Sequence, residues 1–330
     1  LSVIVRQIGH SGIYASVLAL GTWAIGGDAA WGRQDDGISI RAIHEGLDKG
    51  INLIDTAPAY GFGHSERVVG EALKGRRDKV ILSTKCGLVW DGLGGSKHLE
   101  RDGKIVCKNL SKEAILRGAE ESLRNLQTDY IDIFITHWQS APPYLTPVSE
   151  TMEALLALKK EGKIRAIGVS NVSCAQVEEY LSCGDIALVQ QKYSMLDRKV
   201  EEELLPLCEK KDLTFQAYSP LEQGLLTGNI GRDTVLPEED VRRRSIWYQP
   251  QNREKVISML EGFGPLCEKY GCSLSNLVIA WMAAQGGKIN ILCGARKPAH
   301  VLENVKGGEI ELDGQDVLNM RRDIENLTAL

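Results

Sequence analysis

The sequence predicts an α/β fold: a parallel (β/α)8 barrel (a TIM barrel) with an N-terminal β-hairpin and two long loops over its C-terminal face. Three observations carry that expectation. Eight short apolar runs alternate with helical patterns along the chain. Each run is mostly apolar, as parallel strands buried on both faces are. The 330 residues exceed the roughly 250 that such a barrel needs, which leaves room for insertions. A doubly wound open sheet is the rival architecture. It would usually grip a dinucleotide with G-x-G-x-x-G after its first strand. Here the first strand runs into Gly21-Thr22-Trp23-Ala24-Ile25-Gly26-Gly27, which breaks that spacing. No G-x-x-x-x-G-K-[ST] occurs, which sets aside a P-loop nucleotidase.

Taken in order, residues 3–8, a turn at 9–12 and residues 13–16 read as a hairpin placed to close the bottom of the barrel. The eight strands are expected at 17–20, 51–54, 80–84, 131–136, 166–169, 187–190, 213–218 and 289–293. Between them, Ser111 suits the cap of a helix with Ile115, Ala119, Leu123 and Leu126 on one face. Pro147 suits the first position of another, with Val148, Met152 and Leu155 inward. Ser173 with Gln176 matches a capping box. Two segments exceed ordinary connections. Residues 86–110 are rich in glycine and charge, and 219–250 mix Gly224, Gly228 and Gly231 with Arg242-Arg243-Arg244. Each follows a strand, so each is expected over the C-terminal face as a lid. The tail after Leu312 is short, so a long C-terminal substrate loop is expected to be absent. No linker, repeat or low-complexity tract divides the chain, which predicts one domain over 1–330.

Composition narrows the function classes. A hydrophobic fraction of 43% and a charged fraction of 25% are those of a globular protein. The net charge of −5 argues against a general nucleic-acid binder. No apolar run is long enough to span a membrane. The opening residues, Leu1-Ser2-Val3-Ile4-Val5-Arg6, lack the charged start and apolar core of a signal peptide. The eight cysteines are scattered and form no Cys-x-x-Cys pair, so reduced thiols in the cytoplasm are expected rather than disulfides or zinc.

Polar side chains gather where the strands end, and that is where barrels of this class build their active sites. Asp55 follows the second strand, Lys85 the third and His137 the fourth. Ser170-Asn171 follow the fifth and Gln190 ends the sixth. Tyr218-Ser219 end the seventh, and Gly294-Ala295-Arg296-Lys297 follow the eighth. Tyr60 lies five residues beyond Asp55. A free tyrosine, with a pKa near 10, is a poor acid at neutral pH. An ammonium about 4 Å away is worth about 4 kcal/mol at an effective dielectric of about 20, enough to bring the phenol towards working range. Singly, each residue has a duller reading. Asp55 suits a turn before Pro58, Tyr60 a rim aromatic, His137 a satisfied half-buried ring, and Ser170-Asn171 the start of a helix. The Arg242-Arg243-Arg244 run suits a solvated face or a clamp in the lid. Together, the dull readings require one rim to collect all these types by accident.

Six motifs in order resemble the aldo-keto reductases: Asp55-Thr56-Ala57-x-x-Tyr60-Gly61 with Ser65-Glu66, Ser83-Thr84-Lys85, Thr136-His137-Trp138, Ile167-Gly168-Val169-Ser170-Asn171 and Ala217-Tyr218-Ser219-Pro220-Leu221. Gly224-Leu225-Leu226-Thr227-Gly228 and Gly294-Ala295-Arg296-Lys297-Pro298 look most like the bacterial branch acting on sugars, polyols and general aldehydes, and like potassium-channel β subunits. The resemblance covers essentially the whole chain. It implies an oxidoreductase interconverting an aldehyde or ketone, such as a sugar or small polar carbonyl, and its alcohol, with NADP(H) or alternatively NAD(H) as cofactor. Tyr60 would be the proton donor, Lys85 would lower its pKa, Asp55 would hold the ammonium and His137 would fix the carbonyl oxygen.

The resemblance further implies that Ser170, Asn171 and Gln190 meet the nicotinamide carboxamide and that Tyr218 stacks on the ring. Gly21, Thr22, Trp23, Asp55, Ser219, Leu221, Gly224, Gly294 and Ala295 would line the rest of the cofactor, with Arg296, Lys297 and His300 at the 2′-phosphate and Glu303 and Asn304 at the adenine. Trp23, Trp31, Tyr60, Trp90, His137 and Trp138 would face the substrate. Two positions depart from the family pattern: His300 stands where Gln or Arg is usual, and Ser194 where Asn is common. The partner expected is a small carbonyl or alcohol, with no nucleic acid, membrane or metal, and either a monomer or a homo-oligomer is compatible. Two other classes compete: a cofactor-sensing regulatory protein of the channel β-subunit type, against which the intact tetrad speaks, and a metal-dependent hydrolase, for which only Asp55 and His137 stand at strand ends.

Overall fold

The structure, a computed structural model, describes residues 3–27, 31–238 and 240–328. Leu1 and Ser2, the first residues weighed against a signal peptide, lie outside that range. Among the described residues eight parallel strands close a barrel: Leu18–Gly21, Leu53–Asp55, Ile81–Cys86, Ile131–Thr136, Ile164–Ser170, Leu188–Lys192, Thr214–Tyr218 and Ile289–Gly294. Neighbours in sequence pair in order, and the last closes on the first through Ile291↔Leu18 to Gly294↔Gly21. Each expected run is therefore a barrel strand. Several extend further than the apolar pattern suggests, because backbone pairing continues past the last apolar side chain. Lys85 lies within the third strand, opposite Ile135, and Gln190 within the sixth, opposite Gln216.

Alternation along the strands divides the apolar residues into two cores. Ala19, Leu53, Ile133, Ile135, Ala166 and Leu188 point into the barrel, whereas Ile54, Phe134 and Ile167 pack under the helices. The N-terminal hairpin, Val5–Gln7 against Tyr14–Ser16, brings Ile8, Ile13 and Ala15 into the inner cluster and so stops the bottom of the barrel. Its turn needs glycine at position 9. There φ is +48°, and a Cβ would stand 2.6 Å from the Ala187 carbonyl oxygen. The same backbone N–H donates to Thr214 Oγ1 at 2.8 Å.

Helices follow the strands as their signals predict. Ser111 accepts from the Ala114 N–H at the head of Lys112–Leu126, and Ser173 forms its capping box with Gln176 before Cys174–Cys183. Pro147 sits one position earlier than expected. Its ψ of 140° is extended, so it caps Val148–Lys160 from outside instead of beginning it. Beyond Leu312 a further helix, Gly314–Glu325, is docked by Arg321, which pairs with Glu201 at 2.8 Å. Under the barrel wall, buried Asp132 accepts from Arg77 at 2.8 Å, Arg165 at 2.5 Å and the Leu82 N–H at 2.9 Å. No helix among the described residues is long and apolar enough to cross a membrane.

Both long segments have more order than a loop. Within 86–110, Leu88–Val89, Lys104–Lys108 and Ser96–Arg101 form an antiparallel sheet in that order. Its hairpin turns at Asp102-Gly103, both at positive φ (49° and 72°), the pattern of a two-residue turn matched to strand twist. Arg117 of the neighbouring helix pairs with Asp91, and Ser96 Oγ donates to the Ala141 carbonyl, so the sheet is tethered on two sides. In the second segment, short 3₁₀ turns cover Glu222–Thr227, Val241–Arg244 and Ile246–Tyr248. Arg242 clamps Asp240 at 2.6 Å and lies over the Tyr248 ring, while the Tyr248 hydroxyl donates to the carbonyls of Glu222 and Gln223. The first arginine of the basic run is thus a clamp within the segment.

Candidate active site

At the C-terminal mouth the second and third strands bring Asp55 and Lys85 together. Both are 1% exposed, so neither charge is solvated by water. Lys85 Nζ donates to Asp55 Oδ1 at 2.5 Å, to the Thr56 carbonyl at 2.8 Å and to Tyr60 Oη at 3.2 Å. These bonds use the ammonium's three hydrogens. Asp55 Oδ2 accepts from Ser83 Oγ at 2.8 Å and Gln190 Nε2 at 3.0 Å, so the carboxylate is held at both oxygens. Thr22 Oγ1 donates to the Asp55 carbonyl at 2.9 Å, and Ser65 Oγ donates to the Thr22 carbonyl at 3.0 Å.

Electrostatics follow from burial. Desolvation works against the Lys85 ammonium, but the Asp55 carboxylate and the bonds to Asp55 and Tyr60 more than offset it, holding its pKa above 10.5. Burial pushes the Tyr60 phenol up, Lys85 pulls it down and Asp55 pushes it up again, leaving it above 10.0. The downward pull expected of Lys85 is present, but burial outweighs it in the free protein. Tyr60 is therefore protonated at neutral pH. His137, edge-on to Tyr60 at 5.9 Å between ring centroids, is held well below 6.5 by burial and then by the positive charge of Lys85. It is neutral at pH 7.

Beside this group, Asn171 sits in the left-handed region (φ 54°). Its Nδ2 donates to the His137 carbonyl at 2.8 Å and to Ser170 Oγ at 3.1 Å, and its Oδ1 accepts from Tyr218 Oη at 2.8 Å. Ser170 keeps its O–H as a donor, while Asn171 Oδ1 and Gln190 Oε1 keep acceptor capacity. One donor and two acceptors complement a carboxamide, which has one acceptor oxygen and two N–H groups. Ser219 (φ 57°) and Gly224 (φ 103°) both have positive φ, and Leu221 packs on the core.

The eighth strand ends at Gly294, and Ala295 is buried next to it. Arg296 donates to the Trp31 carbonyl at 3.0 Å, with its guanidinium over that ring at 5.8 Å. Lys297 stands exposed at the cap of Pro298–Gly308, a helix N-terminus of the kind that favours anions. Partial burial, then Lys297 and Arg296, hold His300 below 6.5, so all three basic groups are neighbours. The Glu303 carboxylate accepts from Ser273 Oγ and its carbonyl from Asn276 Nδ2, so this side chain turns towards Leu274–Ala283; Asn304 is buried.

Aromatic groups ring the mouth. Trp23 contacts Trp31 edge-on at 5.3 Å and Tyr60 at 6.3 Å. Trp138 stacks with His98 at 4.8 Å and lies under Lys108 Nζ at 5.1 Å. Trp90 packs on Phe62 at 4.9 Å and, with Pro58 and Lys85, lines a cleft beside the helix Lys112–Leu126. Sequence reasoning missed Phe62, His98, Arg101 and Lys108. Arg101 is near enough for its charge to lower the pKa of Tyr60, His98 and His137. The signal that would have found His98, Arg101 and Lys108 is Asp102-Gly103 between alternating residues, a hairpin turn that lays 96–108 over the site. Sequence reasoning also missed, as site residues, Ser83, Gln216 and Asn290, each a polar side chain buried within a barrel strand. Among the described residues no three His, Cys, Asp or Glu side chains are grouped to hold a metal ion, and no cysteine is in a disulfide.

Comparison with known proteins agrees with this geometry. The sequence profile of the Aldo/keto reductase family matches residues 17–323. An NADH-specific methylglyoxal reductase from Escherichia coli (strain K12) is 48% identical, across 97% of this chain and 98% of its own. A probable voltage-gated potassium channel subunit beta from Oryza sativa subsp. japonica is 30% identical, across 92% and 91%. Among solved structures, a glycerol dehydrogenase from Gluconobacter oxydans superposes with a TM-score of 0.87 at 37% identity, covering 97% of this chain and 94% of that one. An aldo/keto reductase from Klebsiella pneumoniae in complex with NADP and acetate gives 0.72 at 28% identity, over 96% and 94%. With its barrel, its strand-end polar group and a profile match over nearly its whole length, the chain belongs to the aldo/keto reductase family.

Proposed function

We propose that the chain is a nicotinamide-dependent carbonyl reductase that interconverts a small polar aldehyde or ketone and its alcohol. It works as one barrel domain in a reducing cytoplasm, where its unpaired cysteines are stable. The observation that carries the reading is Lys85 Nζ placed 3.2 Å from Tyr60 Oη and 2.5 Å from Asp55. When bound, the reduced nicotinamide supplies a hydride to the carbonyl carbon. Tyr60 gives its proton to the carbonyl oxygen, and Lys85 stabilises the phenolate left behind. Asp55 keeps the ammonium aimed. Neutral His137 hydrogen-bonds the carbonyl oxygen and fixes its approach. Ser170, Asn171 and Gln190 hold the carboxamide, and the Tyr218 ring supports the nicotinamide face. A phenol protonated at neutral pH favours reduction there, and oxidation of the alcohol gains as pH rises.

Arg296, Lys297 and His300 suit a 2′-phosphate, which favours NADP(H). The 48% identical relative named as NADH-specific makes NAD(H) the alternative. The test is titration with NADPH and NADH by fluorescence quenching, followed by a panel of small aldehydes, ketones and sugars read at the reduced-nicotinamide absorbance. Tight binding with oxidation by one carbonyl supports the reductase, and Tyr60→Phe then abolishes turnover. Tight binding without turnover favours a cofactor sensor of the channel-subunit type, and absence of binding overturns the proposal.

A further inference from the structure

A column of amides runs through the barrel interior from the candidate site towards the hairpin end. Gln190 Nε2 donates to Asp55 Oδ2 at 3.0 Å and to Gln216 Oε1 at 2.6 Å. Gln216 Nε2 donates to Asn290 Oδ1 at 2.8 Å, and Asn290 Nδ2 donates to the Ser16 carbonyl at 2.8 Å. All three side chains are at most 3% exposed, on three successive strands. Amide oxygen and nitrogen are assigned from hydrogen-bond networks, and here the ends decide. The Ser16 carbonyl only accepts, so Asn290 must turn its NH2 to it and its oxygen to Gln216. Gln216 must then donate to Asn290 and offer its oxygen to Gln190. At the other end the Asp55 carboxylate, bound to Lys85, also only accepts. Both ends demand the same orientation.

We infer that Gln216 and Asn290 are positioning residues that fix the Gln190 amide so that its Oε1 is aimed at the mouth as an acceptor for the cofactor's carboxamide N–H. The inference rests on the nicotinamide reading above. Asp55 alone would leave a planar amide pinned at one N–H and free to swing about that point. The second bond, to Gln216, fixes its plane. Gln216 in turn is held from rotating by Asn290, whose own anchor is backbone. The chemistry required of the ligand is a carboxamide NH2, which an acetyl group of similar shape does not supply.

The experiment compares dissociation constants, by fluorescence quenching, for NAD⁺ and its 3-acetylpyridine analogue, in which CH3 replaces the carboxamide NH2. The unaltered protein is expected to prefer NAD⁺ by about 25-fold, the worth of two neutral hydrogen bonds, one to Gln190 and one to Asn171. Gln216→Met is expected to bring that ratio down to about 5-fold, the worth of the Asn171 bond alone. Gln216→Glu is expected to preserve it, because a buried carboxyl is protonated, accepting from Gln190 and donating to Asn290. A loss of packing alone weakens both ligands alike and leaves the ratio unmoved. If Gln216→Met shows no cooperative melt, Asn290→Ala, which lets Gln216 turn, is read on the same ratio. No preference in the unaltered protein, a parental ratio in the folded variant, or an equal fall in Gln216→Glu overturns the inference. Failure of both dinucleotides to bind overturns the cofactor reading instead.

Discussion

Replacing Lys85 with methionine removes the ammonium while keeping most of the side chain's bulk. At 3.2 Å from Tyr60 Oη, and with an effective dielectric of about 20, the charge stabilises the phenolate by about 5 kcal/mol. If the proton is half transferred in the transition state, about half of that stabilisation is felt there. The expected loss is then roughly 2.5 kcal/mol, or about 70-fold in kcat for carbonyl reduction. The same change leaves Asp55 buried with an unpaired charge, which costs roughly 3 kcal/mol of stability. Lys85→Met with Asp55→Asn removes that charge and separates the effects: stability returns towards the parent while kcat stays low. The assay is steady-state kcat at saturating cofactor and carbonyl, with urea unfolding of each variant as companion. A folded Lys85→Met enzyme within about 3-fold of the parental kcat refutes the role given to the ammonium. So does recovery of kcat together with stability in the double variant.

Three other outcomes follow from the geometry. Asp132→Ala, which strips Arg77, Arg165 and the Leu82 N–H of their common acceptor, is expected to cost about 3 kcal/mol in urea unfolding and to leave kcat nearly unchanged; a loss under about 1 kcal/mol contradicts a structural role. Burial raises the Glu66 carboxyl above 4.5, against the hydrogen bonds from Asn125 and Thr84. The folded state therefore binds this proton more tightly than the unfolded chain, and the stability it contributes is lost as pH rises from about 4.5 through the raised value. Glu66→Gln should gain on the parent across that window, and parallel stability curves would show that Glu66 is not the source. Arg296→Ala is expected to weaken NADPH binding by about 10-fold and NADH by less than 3-fold, since only the first has a dianion to lose; equal losses would mean that Arg296 serves only the Trp31 carbonyl.

The barrel strands were legible because a parallel strand covered on both sides writes itself as an unbroken apolar run. Their polar ends were legible because Asp55, Lys85 and His137 interrupt those runs abruptly. Two kinds of feature were harder to read. Segment 86–110 holds a sheet with one side in solvent, so charge and glycine masked the alternation, and only Asp102-Gly103 marked its turn. Gln216 and Asn290 lie inside strands whose other residues are mostly apolar. A single polar residue there gives no sign of its partners, which belong to different strands and meet only when the barrel closes. Pro147 was misplaced by one residue because a proline's φ suits both the cap and the first turn, and ψ, which separates them, is not written in the residue type.

The sheet over 86–110 closes most of its backbone hydrogen bonds within itself and is fastened to the barrel by few links, Arg117 to Asp91 and Ser96 to Ala141 among them. The proton-handling group, by contrast, hangs from barrel strands and the turn at Tyr60. Much of the first can therefore be rewritten apart from the second. Exchanging Lys108 alters what meets the rim of the mouth without touching barrel register, whereas Arg101 and His98 also bear on the titration of the group beneath them, and any change at Asp55 or Lys85 is felt by the interior column. A library aimed at new substrates should be built on this separable canopy, where a failed variant loses a preference rather than the enzyme.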